Sequence, residues 1–195
     1  MADKSAHKAK TRARILDEAA RAIRAGGAQD ISVAALMKRA GLTHGGFYAH
    51  FASRDDLVAH AVGRMFEDSA AMLDRNLGAE PDGAGLARLI EYYLSERAFE
   101  RVEQGCPLPG LTGEAARLPP PARARFETGI ENFRRAIATA LTAMDAPDAD
   151  RLASSVLAEM VGAMALARSM SDRAAALAFL DSSRQRLLDR LGLGS

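Results

Sequence analysis

Few side chains in this 195-residue chain are of kinds that do chemistry. There are four histidines, His7, His44, His50 and His60, and a single cysteine, Cys106. The histidines lack any spacing that would hold a metal. No G-x-S-x-G, P-loop or H-E-x-x-H occurs, and the G-A-G at 83–85 lacks the third glycine and the preceding strand of a dinucleotide site. The expectation is a chain with no catalytic residue, no cofactor and no metal, and so not an enzyme. What remains is recognition chemistry, concentrated in Gly41–Phe51, GLTHGGFYAHF. There Thr43, His44, Tyr48 and His50 crowd hydrogen-bonding groups around two adjacent glycines.

Glycine costs about 1 kcal/mol against alanine inside a helix, so the pair needs a reason. At 100° per residue, Phe47 and Phe51 turn together toward a core. Gly45 and Ala49 fall opposite them, with Gly46 and Tyr48 on either side. The outward face is then nearly bare, which makes sense where another surface comes close to the backbone. Upstream, Ser32 reads as the N-cap of a short helix, about 32–39, whose apolar face is Val33, Leu36, Met37 and Ala40. Ile31 can staple onto Leu36. Ala40-Gly41-Leu42 turns the chain, and Thr43 caps a second short helix, giving a helix-turn-helix over about 31–50. In that motif the second helix lies in the major groove with its N-terminal residues at the base edges. Thr43 and His44 hold that place, Gly45 and Gly46 let the backbone approach, and Tyr48 and His50 can reach phosphates.

Charge agrees with a polyanion partner. Residues 1–64 carry 11 Lys/Arg against 6 Asp/Glu, although the whole chain is only +1. The excess is steepest in the first 24 residues, where Lys4, Lys8, Lys10, Arg12, Arg14, Arg21 and Arg24 face three acids.

The elements that must position these residues are all helical. Ile15, Leu16, Ala19, Ala20 and Ile23 mark one face of a first helix ending at Gly26-Gly27. Ser53 starts a long helix with Asp55 and Asp56 in its first turn, running toward Leu77. GAEPDGAG at 78–85 reads as a loop, and helix signals resume at Leu86. The run GCPLPGLTGEAARLPPP permits a loop with at most one short helix. Phe126, Ile130, Phe133, Ile137, Leu141 and Met144 mark a further amphipathic helix. The helix from about 148 to 170 is apolar on two sides, with Leu152, Val156, Ala163 and Leu166 on one and Leu157, Met160, Val161 and Met164 on the other. Small residues lie between them, so it can pack against a neighbour and a second subunit. Asp172 caps the last helix, about 173–191.

Hydrophobic residues at 48% and charged ones at 26% describe a soluble globular protein. The longest purely apolar or glycine run in the C-terminal half, Met160–Ala167, is short of the ~20 residues of a membrane span. The basic N-terminus lacks the apolar run of a signal peptide, and one cysteine suits a reducing compartment. A cytoplasmic protein without a membrane partner is expected.

The register from Arg14-Ile15-Leu16, through Ile31-Ser32-Val33, Ala40-Gly41-Leu42, Phe47-Tyr48 and His50-Phe51, to Ser53 and Asp56-Leu57 resembles the DNA-binding domain of the TetR-type (TetR/AcrR) regulators. The resemblance covers about residues 8–66. It implies an all-α fold of about nine helices: an N-terminal three-helix DNA-binding domain, and a larger C-terminal ligand-binding and dimerisation domain at 67–195. It further implies a homodimeric repressor, bound to a pseudo-palindromic operator on double-stranded DNA and released by a small molecule. Carried over by position, DNA contacts come from Ser32, Thr43, His44, Gly46, Tyr48 and His50, with Arg54 near a phosphate. His44 and Arg54 stand where lysine is commoner in such proteins. The run YYLSERAFERVEQGCPLPGLTGEAAR is similar to one branch with a Gly-Cys-Pro-Leu segment. The effector is expected to be apolar or aromatic, lodged among Tyr93, Phe99, Cys106, Phe126, Phe133, Met160 and Met164. The alternative is an electrophile- or redox-sensing repressor acting through Cys106.

Overall fold

The computed structural model describes residues 2–29 and 31–194. Among these there are nine α-helices, three 3-10 segments and no strand. The α-helices are α1 (Ala2–Gly26), α2 (Val33–Arg39), α3 (Arg54–Leu77), α4 (Gly83–Tyr93), α5 (Glu96–Glu100), α6 (Leu108–Leu111), α7 (Pro120–Ala143), α8 (Ala149–Ser169) and α9 (Arg173–Arg190). The 3-10 segments are His44–Ala49, Val102–Gln104 and Thr112–Arg117.

The chain divides into two units, one of residues Met1–Asp68 with Glu103–Thr128, the other of Ser69–Val102 with Gly129–Ser195. A single boundary near residue 66 would give the segment 103–128 to the second unit. It joins the first because its apolar side chains are needed there. In that unit Ile15, Ala19 and Ile23 of α1, Leu36 and Met37 of α2, and Leu57, Val58, Ala61 and Val62 of α3 are buried. Leu108, Leu111 and Phe126 of the returning segment are buried too. Phe126 meets Phe66 edge-on at 5.7 Å.

Polar bonds fasten the same segment. The buried Arg24 guanidinium donates to the Glu103 carbonyl at 3.3 Å, the Met65 carbonyl at 3.2 Å and Asp68 at 2.9 Å. The Glu114 carboxylate accepts from the Ala28 N–H at 2.8 Å. The run 105–121, expected to hold at most one short helix, forms α6, a 3-10 segment and the start of α7. Pro107 and Pro109 do not prevent this, since proline is tolerated in a first helical turn.

The second unit buries Leu86, Leu89, Ile90 and Tyr93 of α4, Phe133, Ile137 and Leu141 of α7, Val156, Met160 and Met164 of α8, and Leu180 and Leu187 of α9. α8 packs on α9, and both meet α4. Residues 83–85 open α4 and are not loop. The Asp82 carboxylate caps it by accepting from the Gly85 N–H at 2.7 Å. A Cβ at Gly85 would lie 2.6 Å from the Leu77 carbonyl, so only glycine fits there. Asp172 caps α9 through Ala174 and Ala175.

The two apolar sides expected of α8 are in fact one. Its seven buried residues form a single face, and Leu166 is 55% exposed on the other, beside Ser155, Ala158 and Gly162. By length and mean hydropathy (1.2) α8 could cross a membrane, which the short Met160–Ala167 run did not suggest. Alanines raise that average, and the helix instead supplies core to its unit.

Candidate nucleic-acid interface

The expected helix-turn-helix forms within the first unit. Ser32 caps α2, its Oγ accepting from the Ala35 N–H at 3.3 Å. The Gly41 backbone turns at φ +66, a left-handed conformation that suits glycine. Leu42 N–H then bonds the Met37 carbonyl at 2.8 Å.

The second element is a six-residue 3-10 helix, His44–Ala49, rather than the α-helix expected. Two adjacent glycines in so short a piece favour the tighter turn over a full α-helical ladder. Thr43 occupies the cap position, but its side chain makes no cap bond. The start is closed by the backbone, Gly46 N–H to the Thr43 carbonyl at 3.1 Å.

Burial nevertheless divides the segment as the wheel implied. Phe47 and Phe51 are 1% and 2% exposed and stack at 5.7 Å. Thr43, His44, Gly45 and Ala49 are exposed, and Tyr48 stands out at 70%. A Cβ at Gly45 would meet nothing within 4 Å. Gly46 is half-buried, with Met37 Cε and Thr43 Oγ1 each 3.8 Å from where its Cβ would be. Only Gly45 of the pair opens fully outward.

Arg54, expected near a phosphate, also bonds the backbone beside it. Its guanidinium donates to the Ala28 carbonyl at 2.6 Å, to the Gln29 carbonyl and to the Ile31 carbonyl at 3.4 Å. It holds the turn between α1 and α2 in place, because that turn's carbonyls have no helical partner. α3 begins beside it with a reciprocal cap: Ser53 Oγ accepts from the Asp56 N–H at 3.1 Å, and Asp56 accepts from the Ala52 N–H at 3.0 Å.

Two histidines border the reading segment. His50 is half-buried, and its pKa lies below the ordinary 6.5, first because burial disfavours the cation and then because Lys8 and Arg12 add positive charge. His60, 3.4 Å from Asp56, is lowered by burial, Arg12 and Arg125, with Asp56 opposing. Sequence reasoning placed Arg12 only in the basic N-terminal stretch and missed its stack on Phe51, its guanidinium 4.8 Å from the ring centre. A shallow cleft of about 200 Å³ lies between α1 and α2, near Gly27, Ile31, Ser32 and Arg39.

The residues expected to line an effector pocket do not share a unit. Cys106, half-buried, and Phe126, buried, belong to the first. Tyr93, Phe99, Phe133, Met160 and Met164 belong to the second. There Tyr93 meets Phe133 edge-on at 5.9 Å, Met160 and Met164 are buried, and Phe99 is half-buried. No group of three or more potential metal ligands occurs among the described residues.

Comparison with known proteins names this architecture. Residues 15–61 match the model of the bacterial regulatory proteins of the tetR family. Residues 83–179 match that of the C-terminal domain of LmrA/YxaF-like transcriptional regulators. The chain belongs to the TetR family of transcriptional regulators. Solved structures share its fold. A TetR regulator from Chloroflexus aurantiacus is 24% identical with a TM-score of 0.83, the match covering 96% of this chain and 97% of that one. Escherichia coli NemR in its reduced form is 18% identical, TM-score 0.79, covering 92% and 96%. A Saccharomonospora viridis regulator in complex with choline is 24% identical, TM-score 0.76, covering 94% and 96%. No curated protein matches the sequence.

Proposed function

We propose that the chain is a cytoplasmic, ligand-responsive repressor that binds a pseudo-palindromic operator as a homodimer. The observation that carries this is the outward side of His44–Ala49. It presents Thr43, His44, open Gly45 and a largely exposed Tyr48 on a segment anchored by buried Phe47 and Phe51. In each subunit that segment enters a major groove, with Tyr48 and His50 at phosphates. The exposed side of α8, with Ser155, Ala158, Gly162 and Leu166, supports a subunit interface, because small residues let helices approach closely. α9 completes it as a four-helix bundle. The effector is a small apolar or aromatic molecule in the C-terminal unit, among Tyr93, Phe99, Phe133, Met160 and Met164. It releases DNA by favouring the subunit arrangement that does not fit the operator. A coupling of about 1–3 kcal/mol is enough for 5–150-fold derepression.

The test is selection of a duplex from a random pool, followed by Gly45→Leu. A leucine at 45 meets open space and leaves the fold intact. Specific binding should be lost; retention of operator at parental affinity would refute close approach.

A second reading, regulation through Cys106, is favoured by one observation. The half-buried cysteine sits on the segment whose Glu103 and Glu114 bond directly to Arg24 and Ala28 of the DNA-reading unit. Under this reading Cys106→Ser binds DNA but ignores electrophiles, whereas a reversible pocket ligand still releases it.

A further inference from the structure

The stripe that α1 buries, Ile15, Ala19 and Ile23, continues toward the N-terminus at the same helical steps as Arg12 and Lys8. The face that is apolar inside the core thus turns cationic where it passes beyond it. Arg12 is fixed there by its stack on Phe51, 4.8 Å from the ring centre. Lys8 is exposed, and its charge, like that of Arg12, is felt at His50. His50 itself presents a buried Nδ1 without a hydrogen-bond partner among the described residues.

Among the described side chains of α1 none neutralises these cations. No acid occurs between residues 4 and 16. Asp17 is engaged by Arg64 at 2.9 Å, and Glu18 by Arg21 at 2.8 Å and Arg39 at 3.2 Å. On α3, Asp56 caps the helix and faces His60. Cations gathered without an anion repel one another until an anion arrives, and charge-assisted bonds to phosphate are then strong.

We infer that Lys8 and Arg12 form, with His50, a seat for a backbone phosphate of duplex DNA at the edge of the reading segment. This rests on the DNA-binding reading above but adds residues that precede the family match, which begins at 15. Such contacts fix register and strengthen binding without reading sequence. Lys10 and Arg14, also exposed, lie on the opposite face of α1 and are not part of the seat.

That division supplies the test. The salt dependence of binding is measured on the selected operator and on a short mixed-sequence duplex. The proteins are the parent, Lys8→Ala/Arg12→Gln and Lys10→Ala/Arg14→Ala, which lose two cations each. Circular dichroism verifies that both variants keep their helices. Each phosphate neutralised contributes about 0.9 to the log–log slope, so with one seat in each subunit of the dimer the first pair should flatten it by about 1.8 on both duplexes. The second pair should leave it unchanged, and Arg12→Lys should keep the parental slope. Equal flattening by both pairs, or none by the first, overturns the seat and leaves the operator reading intact. If only the mixed-sequence duplex is bound, with the slope still set by Lys8 and Arg12, the seat holds and the operator reading falls. A parent that binds neither duplex overturns both.

Discussion

The turn between α1 and α2 and the reading segment Thr43–His50 lie in one unit yet are held by opposite means. The turn is gripped by polar side chains from far along the chain. Glu114 takes the Ala28 N–H, and Arg54 takes the carbonyls of Ala28, Gln29 and Ile31. The reading segment is held by its backbone and by two buried rings, with His50 N–H on the Phe47 carbonyl at 2.9 Å and Phe51 N–H on the same oxygen at 3.1 Å. Among the described residues no side-chain hydrogen bond fastens it. Apolar anchoring leaves the hydroxyl and imidazole groups of the reading segment free for a partner. Of these two regions only the turn is anchored by polar side chains.

The contrast can be broken most severely at Phe47. Phe47→Ala empties a fully buried site and should cost about 3–5 kcal/mol by thermal or denaturant unfolding. If it cost under about 1 kcal/mol, the rings would not be the anchor. Glu114→Ala attacks the other region. It strands the Ala28 N–H, on a residue only 3% exposed, and should cost about 1–3 kcal/mol in urea. Glu114→Gln keeps an acceptor and should recover most of the loss; equal losses would show that the hydrogen bond is not what matters.

The smallest effect is in pH. His50 and His60 both have pKa values below 6.5 in the folded chain, so the unfolded chain takes up protons first on acidification. Stability present above about pH 6.5 should therefore decline as pH falls through the folded values. His50→Gln with His60→Gln should flatten that decline, and an unchanged profile would assign it to carboxylates instead.

Local signals carried much of this architecture into the sequence. Ser32 and Asp172 were legible as caps because a cap is a contact within three residues. Phe47 and Phe51 were legible as core because four-residue spacing turns both one way. The 3-10 geometry of His44–Ala49 was not, since six residues are too few for a helical period to be read from their pattern. The bonds of Arg54 to residues 28–31 leave no periodic trace in the sequence. The return of Glu103–Thr128 to the first unit was hidden for the same reason. It rests on pairs such as Arg24 with Glu103 and Ala28 with Glu114, 79 and 86 residues apart. Leu166 was read on a side that meets a neighbour or a second subunit, and the single chain leaves it exposed.

Gly26 and Gly27 look interchangeable as letters but differ as addresses for variation. At Gly26 an added methyl meets open space. At Gly27 the backbone sits at φ +85, and a Cβ would fall 2.9 Å from Glu114 Oε1. The second glycine is thus held by two independent constraints, its left-handed backbone and its contact with Glu114. Drift at position 114 would release only one of them. A library randomised across both positions should return many residues at 26 and mostly glycine at 27, so a lineage can rewrite the end of its first helix while the turn that follows changes little.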